Sequence, residues 1–245
     1  MNPFFSNVLK LVSGSIVTQI IGILLIPIIT RLYSPDDFGI YQLFLSISGI
    51  LVAFSCLSYQ FSIMLPKDDE DSANLVVLCI ILVTIFSMVT GSIFIIFSDR
   101  IAEVLNTPEI SHYFIFLPLI VFLNGIYLGL EIWVFRSKRF GINAVAQIAN
   151  SLSGKFVQIG IGLYSTPSSF GLIAGSIASS IASLGVLYQK IKNDLPLFKK
   201  TTLKNVRKLA VTYKRFPMFT SWSTGAGTIS TEIAPLLLAF FFSQN

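Results

Sequence analysis

Apolar residues fill the chain in long runs at 11–29, 38–64, 75–97, 114–135, 142–164, 170–188 and 219–242, separated by mostly short polar connections. A helix crossing a bilayer needs about 20 mostly apolar residues. Each run approaches or exceeds that length, so the pattern predicts an all-α fold, a polytopic membrane helical bundle of about 7 transmembrane helices. Two of the polar breaks read as helix starts. Ser34-Pro35-Asp36-Asp37 and Asn106-Thr107-Pro108-Glu109 each place a capping residue before proline and acidic side chains at the positive end of the helix dipole. The long connection between the sixth and seventh runs differs. There Leu203, Val206, Leu209 or Ala210, and Tyr213 recur at helical spacing among basic residues, predicting either an amphipathic helix on the inner leaflet or a plain basic tether.

Composition supports a membrane solvent: 53% of residues are hydrophobic, 12% are charged, and 22 are Phe. Mean hydropathy is +0.78, which a soluble domain of this length rarely reaches. Cys56 and Cys79 both fall inside apolar runs, where cysteine behaves as a small buried apolar residue. Fourteen of the 17 Lys and Arg fall at the N-terminus and in the second, fourth and sixth connections, against two in the odd ones; Lys155 lies within a run. Basic residues are retained on the cytoplasmic side. That distribution predicts a cytoplasmic N-terminus and, with seven crossings, a C-terminus on the periplasmic or outer side. The net charge of +5 then belongs beside anionic lipid and calls for no nucleic acid.

Polarity inside the runs carries the candidate chemistry. In the fifth run Gln147, Ser151, Gly154, Lys155, Gln158 and Gly162 fall within roughly 100° of helical arc. Lys155 stands roughly 14 Å from the nearer end at 1.5 Å per residue, where a charge costs on the order of 3 kcal/mol on insertion scales. It is expected to face a bundle interior or an aqueous cavity, or to pair with another span, with Glu131 as a candidate partner. Thr224, Thr228, Thr231 and Glu232 share a second arc in the seventh run, just before Pro235. Pro27, Pro118 and Pro235 lie within predicted spans and are expected to break or bend them. Gly125 with Gly129, and Gly171 with Gly175 extended by Ser176, Ser179, Ser180 and Ser183, read as helix-packing surfaces.

Catalytic patterns are sparse. The single His112, the lack of clustered Cys and His, and the lack of a phosphate-cradling Gly-Lys-Ser/Thr loop point away from an enzyme, and no cofactor or metal is expected. The acidic run Asp68-Asp69-Glu70-Asp71 admits a Mg²⁺-binding reading, although such runs are usually solvated.

The run Pro27-Ile-Ile-Thr-Arg-Leu-Tyr-Ser-Pro-Asp-Asp-Phe-Gly39-Ile-Tyr41 resembles the first span and loop of the polysaccharide and O-antigen flippases, the Wzx-like branch of the multidrug/oligosaccharidyl-lipid/polysaccharide exporter superfamily. Similar positions continue in Leu65-Pro-Lys-Asp-Asp-Glu-Asp, in Trp133-Val-Phe-Arg136-Ser-Lys-Arg-Phe140, and in Arg215-Phe-Pro217-Met-Phe. The resemblance implies two six-helix lobes that rock around a central cavity, in a bacterial cytoplasmic (inner) membrane. It implies translocation of a polyprenyl-diphosphate-linked oligosaccharide, an O-antigen or capsule repeat unit, by alternating access. On that reading 1–189 is a first lobe, 190–217 a basic linker, and 218–245 the first helix of a second lobe. A faint echo between Pro27 to Ser34 and Pro235 to Ser243 agrees. The family's twelve or more spans imply a truncated or split chain, inactive alone or completed by a second polypeptide. The expected cavity residues are Lys155, Gln147, Ser151 and Gln158, with Arg31 attracting the diphosphate near the outer rim and Glu131 and Glu232 as ion-coupling candidates. A drug/cation antiporter of the same superfamily and a membrane-embedded sugar-phosphate transferase using the Asp68 cluster are the alternatives.

Overall fold

The computed structural model describes the backbone of residues 3–242, with side chains described throughout except at 3–15, 17, 190 and 238–242. Ser243 of the expected echo therefore lies outside the described residues, as do the side chains of Lys10 and Lys190. All regular structure among the described residues is helical. The long helices are α1 (Pro3–Leu32), α2 (Pro35–Ser55), α3 (Asp69–Ile96), a short α4 (Ser98–Val104), then α5 (Leu117–Arg136), α6 (Phe140–Tyr164) and α7 (Ser169–Ile191). After the short α8 (Leu195–Lys199) and α9 (Leu203–Thr212), α10 (Ser221–Phe242) ends the described chain.

The start of α2 follows its sequence closely. Ser34 Oγ accepts from the Asp37 amide at 3.1 Å, Asp37 Oδ2 accepts from the Ser34 amide at 3.1 Å, and Pro35 occupies the first turn. Asn106 to Glu109 also starts a helix, but as a 3₁₀ segment, Pro108–Phe116, without a side-chain cap. Pro118 accordingly falls in the first turn of α5, where its missing N–H is harmless, rather than inside a span. Pro27 and Pro235 do lie inside α1 and α10.

The second apolar run is longer than its helix. The chain leaves α2 at Ser55, takes left-handed backbone at Leu57 and Ser58 (φ 47° and 57°), and continues as a 3₁₀ segment, Tyr59–Met64. Residues 56–64 stay apolar because Cys56, Tyr59 and Ile63 are buried under the end of the bundle, not because they cross lipid.

Among the described residues four helical stretches are long and apolar enough to span a membrane, Pro35–Ser55, Asp69–Ile96, Pro108–Arg136 and Ser169–Gln189, and the continuously described part of α1, Thr18–Leu32, is apolar as well. The Asp69–Ile96 stretch has a mean hydropathy of 2.6, yet only 33% of its most apolar window is buried. Ile85, Met88 and Ile96 are 57%, 66% and 72% exposed, a surface that demands lipid rather than water. The fold is therefore a multi-pass helical membrane bundle. Its α6 is too polar for the same group, because its Asn, Gln, Ser and Lys dilute the apolar residues.

In the packed bundle α5 lies against α2, α3 and α7; α6 is held between α1 and α7; α10 rests chiefly on α2. At the end of the bundle that carries most of the basic residues, the Trp133-to-Phe140 segment fastens three connections together. Arg136 donates to the carbonyls of Ile63, Met64, Pro66 and Lys67 at 2.8–3.4 Å and to Asp69 Oδ1 at 3.1 Å. Arg139 grips Asp194 through two bonds of 2.9 and 3.0 Å, and the Trp133 indole N–H donates to the same carboxylate at 3.1 Å. The acidic run is engaged here as well: Asp69 pairs with Arg136 and Glu70 with Lys200.

The basic connection does contain a helix, α9, but its apolar face is turned into the protein. Val206 and Leu209 are 6% exposed each, packed on the start of α3. The expectation that this face lies on a leaflet is corrected, because the first turns of α3 supply a nearer apolar partner.

Candidate functional site

The polar stripe of α6 divides into two roles. Its glycines form the seam with α7 and α1: a Cβ on Gly154 would stand 3.0 Å from the Gly175 carbonyl oxygen, and one on Gly162 would stand 3.2 Å from Leu32 and Tyr33 atoms. Such close approach lets polar groups bond across the seam in the absence of water. Asn150 Nδ2 donates to the Ser179 carbonyl at 3.2 Å, and Gln158 Nε2 donates to the Leu172 carbonyl at 3.2 Å. The Tyr33 hydroxyl donates to the Gln158 carbonyl at 2.6 Å, tying the end of α1 to the same turn. Ser176 and Ser179 of α7 are satisfied on their own backbone, Ser176 donating to Ile173 O at 2.7 Å and Ser179 to Ser176 O at 2.7 Å. The reading of Gly125, Gly171 and Gly175 as packing positions is borne out by the side chains that crowd each of them.

Lys155 stands at the edge of that seam. It lines a cavity of about 160 Å³ with Ile26 and Ile29 of α1, Phe38 and Tyr41 of α2, Gln158 of α6 and Leu172 of α7. At ~30 Å³ per water this is room for about five waters. Lys155 lies nine residues before the end of α6 at Tyr164, roughly 14 Å along the axis. Among the described residues it makes no ion pair and no hydrogen bond. Glu131 is not its partner, since that carboxylate accepts from the Tyr127 hydroxyl of its own helix at 3.4 Å. A half-buried ammonium with no carboxylate to neutralise it is a site for water or for an anion.

The expected site residues gather only in part. Lys155 and Gln158 share the cavity, whereas Ser151 and Gln147 lie one and two turns further along α6 and do not line it. Arg31 is exposed in the last turn of α1, also outside the lining. Glu232 sits on α10 opposite Gly49 of α2, where a Cβ would stand 3.6 Å from its Oε1. Thr228 and Thr231 bond their own helix, at 3.1 Å to Thr224 O and 2.8 Å to Thr228 O. Phe38 and Tyr41 were missed by sequence reasoning. The signal available was the cap at Ser34 and Asp37, which fixes the first turns of α2 and so the direction in which residues three apart project.

No curated protein and no solved structure matches the chain. The model of the family described as "Polysaccharide biosynthesis protein" matches residues 4–245, and the chain belongs to that family, whose members are polysaccharide transporters rather than enzymes.

Proposed function

We propose that the protein translocates a polyprenyl-diphosphate-linked oligosaccharide across the bacterial cytoplasmic membrane by alternating access, with the Lys155 cavity as the foothold for its diphosphate. The observation that carries this reading is the unpaired cation at depth: Lys155 lines a partly open cavity to which α1, α2, α6 and α7 all contribute residues, and it meets no carboxylate among the described residues. A diphosphate supplies the missing charge, and its passage through ~30 Å of hydrocarbon needs such compensation. Room for about five waters accommodates a headgroup and not a sugar repeat unit. The sugars then follow α1 and α6 past the half-buried Ser151 and Gln147, and the exposed Arg31 attracts the phosphates at the rim.

On this reading residues 1–189 act as one lobe, 190–217 as a basic linker, and 218–245 as the beginning of a second lobe. Supporting it, α10 rests on the outside of α2 instead of joining the helices around α5. Glu131 and Glu232 are the carboxylates for coupling to a proton or Na⁺ gradient, Glu232 because it lies between α10 and α2, where lobes would move against one another.

The test is flipping of a fluorescent polyprenyl-diphosphate oligosaccharide by the full chain in proteoliposomes. Lys155→Ala is expected to lower the rate by at least about ten-fold, matching loss of one charge-assisted contact worth ~1.5–3 kcal/mol, and Lys155→Arg to retain most of it. Equal rates for both variants and the parent would remove the cavity from the route.

A further inference from the structure

With its apolar face spent on α3, α9 still exposes a second patterned flank. Leu203, Arg207 and Val211 follow one another at four-residue spacing, hence along one line of the helix, and Lys204 and Lys208 stand on the adjacent line. Leu203 is 78% and Val211 61% exposed, while Val206 and Leu209 on the other side are buried. None of the three cations pairs with a carboxylate among the described residues. Two exposed aliphatic residues among unpaired basic ones suit neither a water-facing helix nor a protein core. They suit the boundary between headgroups and acyl chains.

The level of α9 agrees with that boundary. Its N-cap Thr202 donates its amide to Asn74 Oδ1 at 3.3 Å, Lys200 pairs with Glu70 at 3.2 Å, and the Tyr59 hydroxyl donates to the Ala210 carbonyl at 2.8 Å. These bonds fix α9 beside residues 70–74 of α3, at the start of the most apolar of the four candidate spans among the described residues. Docked on the end of that span by one face, α9 leaves its opposite face uncovered by the described residues.

We infer that the Leu203, Lys204, Arg207, Lys208 and Val211 flank of α9 binds anionic phospholipid headgroups of the adjacent leaflet, so that the helix is clamped between α3 and the membrane surface. The inference is independent of what passes the Lys155 cavity. Charge complementarity selects the occupant: three cations within two turns match several phosphodiesters of an anionic surface, and the aliphatic pair reaches the acyl boundary beneath them.

The experiment places the full chain in phosphatidylcholine bilayers and measures, by electron paramagnetic resonance of trace spin-labelled lipid, how strongly phosphatidylglycerol and phosphatidylcholine are each immobilised at the protein. The parent is expected to favour phosphatidylglycerol on the order of five-fold, the equivalent of one basic side chain at an anionic surface, with the preference falling as salt is raised. Lys204→Gln/Arg207→Gln/Lys208→Gln should abolish it. Lys204→Arg/Arg207→Lys/Lys208→Arg, which keeps the charges, should restore it, and this distinguishes lost lipid binding from lost folding. Lys138→Gln/Lys199→Gln/Lys214→Gln removes as many exposed cations from the same end of the bundle and should leave the preference nearly intact. A preference that survives the α9 triple substitution, or that disappears equally in the control triple, overturns the inference.

Discussion

Asp194 holds two otherwise orphaned donors at once, the Arg139 guanidinium and the Trp133 indole N–H, with its side chain only 11% exposed. Asp194→Ala leaves both without an acceptor at a mostly buried position. The expected loss is about 2–3 kcal/mol, below the full penalty for a buried pair because Arg139 is 40% exposed and can turn toward water. A lowered thermal midpoint in detergent checks it, and Asp194→Asn, which keeps an acceptor, should lose less. Arg136 makes a related but distinct case. Its planar fork reaches four carbonyls and a carboxylate together, which a lysine ammonium cannot copy. Arg136→Lys should therefore destabilise by about 1–2 kcal/mol although charge is unchanged, seen as faster proteolysis within residues 63–69. Lys155 was legible in the sequence because a charge inside an apolar run cannot be mistaken for background. Tyr41 and Phe38 were not, since aromatic residues are ordinary in such runs and only the three-dimensional placement of the first turns of α2 shows which of them line the cavity.

Between elements, glycine sets how closely helices approach, and the positions are unequal. A Cβ on Gly91 would stand 2.5 Å from Pro118 Cβ, a rigid ring in the first turn of α5, while one on Gly160 meets nothing within 4 Å. Gly91→Ala must push α3 from α5 and should lower stability by about 1–3 kcal/mol. Gly160→Ala should be neutral or slightly stabilising, and the contrast is read from paired thermal melts in one detergent. The sequence located the long helices because bilayer length and hydropathy act on each run separately. It misplaced their ends where apolar residues serve burial instead: 56–64 is a left-handed turn and a 3₁₀ segment, and Pro118 opens a helix rather than bending one. The face of α9 was misassigned for a similar reason. Amphipathicity reveals that a helix has an apolar side but not whether lipid or α3 covers it.

At the scale of the whole molecule, topology turns on α6, whose polar stripe keeps it out of the set of self-sufficient spans. Its partners supply what its sequence lacks: α1 and α7 flank it along its length, and its glycines, Asn150 and Gln158 are satisfied against them. A helix so enclosed needs little apolarity of its own to cross a bilayer. The crossing has a parity consequence. Glu109, ahead of α5, and Asn205, in α9, are separated by α5, α6 and α7, so three crossings put them on opposite faces while two would put them on the same one. Both residues are exposed, and the native thiols give no background because Cys56 and Cys79 are 0% and 1% exposed. A membrane-impermeant maleimide applied to intact cells is expected to label Glu109→Cys and to spare Asn205→Cys, with the pattern reversed in inside-out vesicles. The sign follows from the cations gathered around Asn205, which are retained on the cytoplasmic side. Labelling of both positions from one side would mean that α6 does not span, and the Lys155 cavity would then lose the membrane depth on which its affinity for a diphosphate depends.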